Sequence, residues 1–504
     1  MNYQPVIGLE IHAELLTRSK MFCACPVVDL TTAAPNSAVC EVCAGMPGTL
    51  PVVNARAVEY ALRVALALNC RIHLTSLFAR KNYFYPDLPK GFQISQYEQP
   101  LAVDGSLPIR TAAGGRTVRI RRVHLEEDTG KLTHVGDTPS EPDSEAPIPD
   151  SQSPIPNPRV PAAHSLIDLN RAGVPLLEIV TEPDLHSAEE VSAYARALRQ
   201  LLRYLGVNSG DMEKGVLRIE PNISVRPAGS GTLGTRTEIK NLNSFRALER
   251  ATAYEIARQT SLLEQGKTVT QQTVGWDEAR QVTVPQRSKE EAHDYRYFPE
   301  PDLPPLTLDP AWVDEVRASL PELPHARLAR FQSEYGLSEY DAAVLTAEKE
   351  TADYFEQTLA RGADPKTAAN WITGELFSLL SRGGGTLQGG RVPPANLAEL
   401  LGLLGAGAVS PASAKRVLAE MFATGDAAAS IVRRAGLDQV SDEARIRGWV
   451  QSVLAEHPGE VQSFREGKAA VANWLFGQVM RQAGGRANPQ VVRAVLLAEL
   501  EALK

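Results

Sequence analysis

What the chain lacks narrows its identity first. No apolar run approaches the roughly 20 residues that a membrane span requires, although 43% of the 504 residues are hydrophobic and 22% are charged. The opening MNYQPVIGLE has no basic segment followed by an apolar core, so it does not read as a secretory signal, and the cytoplasm is the expected compartment. There is no G-x-x-x-x-G-K-[ST] loop, which excludes P-loop use of a nucleotide. A G-x-S-x-G elbow and a Ser- and Gly-rich amidase loop are also missing. A reaction that needs ammonia cut from an amide must then draw it from another polypeptide. Positive charge is in short supply: 52 Lys and Arg face 60 Asp and Glu, a net charge of -8, which argues against coating nucleic acid through bulk charge. Residues 401–504 carry 12 basic against 10 acidic side chains, so that end approaches a polyanion at less electrostatic cost than the rest.

The length predicts roughly three domains, each with its own core, and there is no internal repeat. Residues 1–300 mix strand patterns with helices and read as an α+β core built on an antiparallel sheet. A helix is expected over 188–205, where Ser187 and Glu190 form a capping box and Gly206 ends it, and another over 246–264. The Pro-, Ser- and acid-rich stretch 139–161 cannot fill a core and reads as a disordered insertion. Beyond 300 the strand signals fade into Ala- and Leu-rich helices. The expectation is a helical connecting domain over 301–395, closed by the loop SRGGGTLQGGRVPP, and a helical tail over 396–504.

Five cysteines occur, four of them as C-x-C, fourteen residues, C-x-x-C, at Cys23, Cys25, Cys40 and Cys43. Two close pairs joined by a loop can surround one tetrahedral zinc, and an odd total speaks against a disulfide framework. A closed four-sulfur site leaves no position for substrate, so its role is to fold the 23–43 loop. The alternative is a set of buried thiols; Cys70 reads as a small buried hydrophobe.

The segment VIGLEIHAEL alternates with period two. Ile7, Leu9, Ile11 and Leu15 fall on one face, and Glu10, His12 and Glu14 on the other. A second cluster, His124, Glu126, Glu127 and Asp128, ends another extended stretch. An acidic strand face is ordinarily a solvated one, but two clusters of the same make-up in one domain suit Mg²⁺, whose hard oxygen ligands converge from separate strands. His12 is then a ligand, a base or a hydrogen-bonded structural imidazole. The segments Val216–Val225 and TRTEIKNLNSF read as a hairpin studded with Glu213, Arg218, Glu220, Asn222, Glu238, Lys240, Asn241 and Asn243. Its turn, GSGTLG, matches G-x-G-x-x-G only formally, since no βαβ unit surrounds it.

The run LIDLNRAGVPLLEIVTEPD at 166–184 closely resembles the signature of the B subunits of bacterial aspartyl/glutamyl-tRNA amidotransferases. GLEIHAEL, CEVCAGMPGTLPVVN, KNYFYPDLPKGFQISQYE, HLEEDTGK, MEKGVLRIEPNISVRP, TEIKNLNSFR and DYRYFPEPDLPPL support it in family order across the first 305 residues. The archaeal relative sharing this core carries an additional domain that this chain does not show. The resemblance implies a ligase that uses ATP to activate the side-chain carboxylate of Glu or Asp on a misacylated tRNA, forming an acyl phosphate that ammonia converts to the amide. It implies Mg²⁺ held by Glu10, His12 and the Glu126/Glu127 pair, with Glu213 as the next candidate, and phosphate or aminoacyl contacts from Asn170, Arg171, Arg218, Lys240 and Asn241. It also implies two partners, an amidase (the A subunit) supplying ammonia from glutamine and a small third chain (the C subunit), with the tail domain on the tRNA. The competing reading is a zinc-stabilised protein that presents tRNA without catalysing the reaction. The 139–161 insertion is longer than the resemblance leads one to expect.

Overall fold

The computed structural model describes residues 2–135, 164–286, 295–387, 389–437, 439–440, 442–484 and 486–503, so the 139–161 insertion lies outside the described residues. The chain divides into two compact units, Met1–Leu323 and Pro324–Lys504.

The first unit is organised by the alternation seen in VIGLEIHAEL. Tyr3–Glu14 is a strand in which Ile7, Leu9, Ile11 and Ala13 are buried, with Leu15 just beyond it, while Glu10, His12 and Glu14 stay partly exposed on the other face. It lies at the centre of a nine-stranded sheet, between Leu217–Pro227 and Pro175–Thr181. Thr237–Lys240, Gln272–Asp277 and Val282–Pro285 extend the sheet on the first side; Gly114–Glu127, Ala102–Thr111 and Arg71–Ile72 extend it on the second. Every pairing is antiparallel except that of Thr237–Lys240 with Gln272–Asp277. The expected hairpin is present, with Asn222 opposite Glu238 and Ile223 opposite Thr237.

Helices Ala55–Ala67, Ala188–Tyr204 and Phe245–Glu264 share one apolar core with the buried strand face. The Ser187 hydroxyl accepts the Glu190 amide at 3.1 Å, as a capping box requires, but the Glu190 carboxylate accepts the His186 amide at 2.6 Å instead of that of Ser187. With helices covering one face of the sheet, its polar residues gather on the other. A small sheet of Ala79–Asn82, Phe92–Ser95 and Phe298–Pro299 supplies further partners there.

The second unit is helical among its described residues. Its apolar side chains form two cores, one drawn from residues between Phe331 and Val432 and one from residues between Ile446 and Leu500. The first of these runs through position 395, where the glycine-rich loop suggests a boundary, because Leu397, Leu400 and Leu401 share a core with Phe355, Ile372 and Leu376. No described helix is long and apolar enough to cross a membrane.

Candidate active site and metal centres

The polar sheet face brings together residues far apart in sequence. Strand register sets His12 opposite Glu178 and Glu178 opposite His124. His12 Nε2 lies 3.7 Å from both Glu126 Oε1 and Glu178 Oε2, and His124 Nε2 lies 3.2 Å from Glu178 Oε2 and 3.9 Å from Glu126 Oε2. Burial alone would drive the His12 imidazole neutral, but the Glu178 carboxylate beside it, with Glu220 and Glu126, pushes it up to about 9. Burial likewise works to raise Glu178, and the neighbouring imidazoles of His124 and His12 hold it well below the usual carboxylate range. One donor atom each from His12, Glu126 and Glu178 fall within 4.8 Å of one another, a set that fits a single divalent cation.

One step along the sheet lies a second acidic group, Glu10, Glu220 and Glu238, again within 4.8 Å. Lys240 Nζ is already among them, paired with Glu220 and 2.8 Å from Glu238. Burial, then the charges of Glu178 and Glu238, raise the Glu10 carboxyl, whose Oε1 accepts the Asn222 amide at 3.2 Å. Glu10 also lines a cleft of about 420 Å³ together with Arg121, Thr181, Asn222, Ser224 and Arg236. Arg121 reaches this cleft through a strand irregularity: Val180 pairs with Arg122 but Thr181 with Ile120, leaving Arg121 as the extra residue of a bulge. Its guanidinium forms a two-pronged pair with Glu182, at 3.0 and 2.9 Å.

The remaining sequence candidates sit elsewhere. Glu127 does not join Glu126. Being the next residue on the strand, it turns the other way, pairs with Lys90 and accepts the Ile94 amide at 3.0 Å. Asp128 holds Arg218 at 2.7 Å, and the charges of Arg218 and Arg171 keep it low against the effect of burial. Arg171 donates to the Thr129 and Gly130 carbonyls at 3.0 and 2.7 Å. Asn170 is buried and holds the cysteine loop, accepting from the Ala38 amide at 2.8 Å and donating to the Ala34 carbonyl at 2.7 Å. Asn241 is exposed with φ 63°, and Glu213 is exposed in a turn where its amide donates to Asp211. Both stand outside the two acidic groups.

Glu178 is absent from the sequence candidates, although it carries a signal: it is the one charged residue in the mostly apolar PLLEIVT, where a carboxylate is costly unless partnered. Lys81 is absent from them too. Burial works against its ammonium, and the charges of Glu126 and Glu178 more than offset this and raise it.

The cysteines form the third centre. Cys43 Sγ is 3.8 Å from Cys25 Sγ and 3.7 Å from Cys40 Sγ, and all four sulfurs lie within 4.8 Å of one another. Sulfurs bound at about 2.3 Å to one tetrahedral ion stand about 3.8 Å apart, so the donor set fits zinc. The hydrogen bond from Cys23 draws the Cys43 thiol down to about 4, with the Lys20 ammonium contributing.

Two family models match the chain: the GatB/GatE catalytic domain over residues 5–314 and the GatB domain over 353–500. The chain is 50% identical over 502 residues to the B subunit of the aspartyl/glutamyl-tRNA(Asn/Gln) amidotransferase of Moorella thermoacetica, covering 99% of this chain and 100% of that one. It is 49% identical to the proteins of the same name from Myxococcus xanthus, over 99% of both chains, and Thermomicrobium roseum, again over 99% of both. With both models matched and half of all positions identical from end to end, the chain belongs to the family of aspartyl/glutamyl-tRNA(Asn/Gln) amidotransferase B subunits.

Proposed function

We propose that this chain is the B subunit of a tRNA-dependent amidotransferase, a ligase that activates the side-chain carboxylate of Glu-tRNA(Gln) or Asp-tRNA(Asn) with ATP and converts it to the amide. The observation that carries this reading is the convergence of His12, Glu126 and Glu178 from three strands beside the Glu10 cleft, in a chain of this family. Mg²⁺ held by His12, Glu126 and Glu178, with Glu10 at the cleft edge, would neutralise charge developing on phosphate oxygens.

The chain's own residues do the rest. Glu178 fixes both imidazoles through charge-assisted contacts, and Asn222 orients Glu10. Arg121 and Arg236 supply positive charge to a cleft that must hold triphosphate. Lys240 keeps Glu220 and Glu238 paired. Zinc at the four cysteines is structural. A partner amidase, the A chain of the heterotrimer, supplies the ammonia, in keeping with the missing amidase loop. The small C chain joins them, and the tail approaches the tRNA; the whole works in the cytoplasm. The domain roles follow: catalysis in the α+β core, connection and tRNA contact in the helices.

Phosphate release by the heterotrimer, with and without charged tRNA, tests this. Glu10→Gln and His12→Ala should abolish the tRNA-stimulated release while tRNA affinity stays within a few-fold. Normal release with lost tRNA binding would instead support a protein that only presents tRNA.

A further inference from the structure

Lys20 is fully buried, and its Nζ donates to the Ala38 carbonyl at 2.8 Å and the Leu169 carbonyl at 3.1 Å. Among the described residues no carboxylate stands within 4.0 Å of it. Two neutral carbonyls do not offset the cost of removing an ammonium from water, and buried lysines are ordinarily paired with an anion. The surroundings show where that anion would lie. The Lys20 amide donates to the Cys25 carbonyl at 2.9 Å, and Ala38, which accepts Nζ, precedes Cys40 by two residues. A β-carbon placed on Gly173 would lie 3.5 Å from Lys20 Cδ, 3.8 Å from Cys43 Cβ and 3.9 Å from Glu127 Oε2, so the lysine stem runs alongside the cysteine cluster, while the Glu127 carboxylate is paired with Lys90. Four thiolates around one divalent ion carry a net double negative charge. A fully buried lysine therefore stands beside an anionic centre of which Cys43 is buried and the other three cysteines are half-buried.

We propose that Lys20 is the built-in counter-ion of the cysteine-bound metal, and that its second carbonyl bond ties the metal centre to the segment supporting the end of the strand Gly114–Glu127. This rests on the zinc reading of the cysteines. The Leu169 carbonyl that accepts Nζ opens the segment 169–174. Within it Asn170 bonds to the cysteine loop, Gly173 accepts the Met21 amide at 2.7 Å, and the Gly173 amide donates to the Asp128 carbonyl at 2.9 Å. The Asp128 amide in turn donates to the Val174 carbonyl at 2.9 Å. Asp128 anchors Arg218, and its neighbour Glu127 pairs with Lys90. Lys20 thus joins the cysteine loop, through this chain of bonds, to the end of the strand that carries Glu126.

The test is the zinc affinity of the full chain in its complex, measured under reducing conditions by competition with a chromophoric chelator. Lys20→Met keeps the length of the stem and removes the charge, and should weaken zinc by about 10- to 100-fold, the range for groups outside the ligand set. Wild-type affinity in that variant overturns the counter-ion role. If Lys20→Met does not fold, the wild type carries the test by amine labelling mapped by mass spectrometry. Lys20 should be protected in the zinc-loaded protein and label at least about tenfold faster once zinc is stripped; equal rates overturn the proposal. Wild-type protein that takes up no zinc overturns the underlying metal reading, and its metal content alone reports that before any variant is compared.

Discussion

In the unit Met1–Leu323, ionisable side chains are carried into the interior: Lys20, His124, Glu126, Glu127, Asp128, Glu178, Glu255 and Glu300 are all buried. In Pro324–Lys504, Arg327 is the one Asp, Glu, His, Lys or Arg buried among the described residues, and charges otherwise sit on helix surfaces in pairs such as Lys349 with Asp353 and Arg447 with Glu443. The helical unit follows the ordinary pattern of folding, in which apolar faces meet and ions stay wet. The α+β unit departs from it most on one sheet face, where His124, Glu126 and Glu178 are surrounded by partners on neighbouring strands. Such concentration of buried, mutually perturbed carboxylates and imidazoles is what catalysis requires and what stability alone does not favour.

Three substitutions would break or sharpen this contrast. The largest effect belongs to Glu178→Gln, which keeps the shape and removes the charge that orders His12 and His124. Phosphate release stimulated by charged tRNA should fall by about 100-fold or more, with tRNA affinity within a few-fold. Next is Arg327→Leu in the helical unit, which removes one of two cationic partners from Asp353, 2.7 Å away, and one of two from Glu356. Because those carboxylates are partly solvated, the cost should be about 1–2 kcal/mol, read in thermal unfolding of the full chain, with phosphate release unchanged. The smallest is Glu14→Gln. Burial, followed by the charge of Asp128, raises the Glu14 carboxyl from 4.5 to about 8. Between those pH values the folded chain holds a proton that the unfolded chain has released, so this contribution to stability is complete below the window and lost as pH rises through it. The glutamine variant lacks that slope. Its stability relative to wild type, from denaturant midpoints, should improve steadily from the acid to the alkaline end.

Much of the fold could be read directly, because its signals are local. The alternation around Glu10, the Ser187 cap, the hairpin after Leu217 and the paired cysteine spacing each depend on residues near one another in sequence. The site was only half legible, because its geometry depends on register between distant strands. Adjacent in sequence, Glu126 and Glu127 read as a pair, yet strand alternation separates them, and Glu178, from a third strand, completes the group with His12. Asn170 and Arg171 match family motifs but are committed to backbone carbonyls and the cysteine loop. Motif matching registers that a residue is needed without distinguishing support from contact. The bulge at Arg121 did leave a trace in the pattern: the apolar positions 118 and 120 resume at 123 and 125, so the alternation changes phase at the adjacent arginines 121 and 122.

The two-faced opening strand has a last consequence, which concerns errors of folding. Its core side chains and its acid and imidazole side chains interleave along one strand. A slip of one residue against either neighbour would therefore drive Glu10, His12 and Glu14 into the helix-covered interior and turn Ile7, Leu9 and Ile11 outward. A stable but inactive isomer with this strand out of step is thereby ruled out on energetic grounds. The core proofreads the active site: a chain that has packed its interior has, by the same act, assembled the row of groups that does the chemistry.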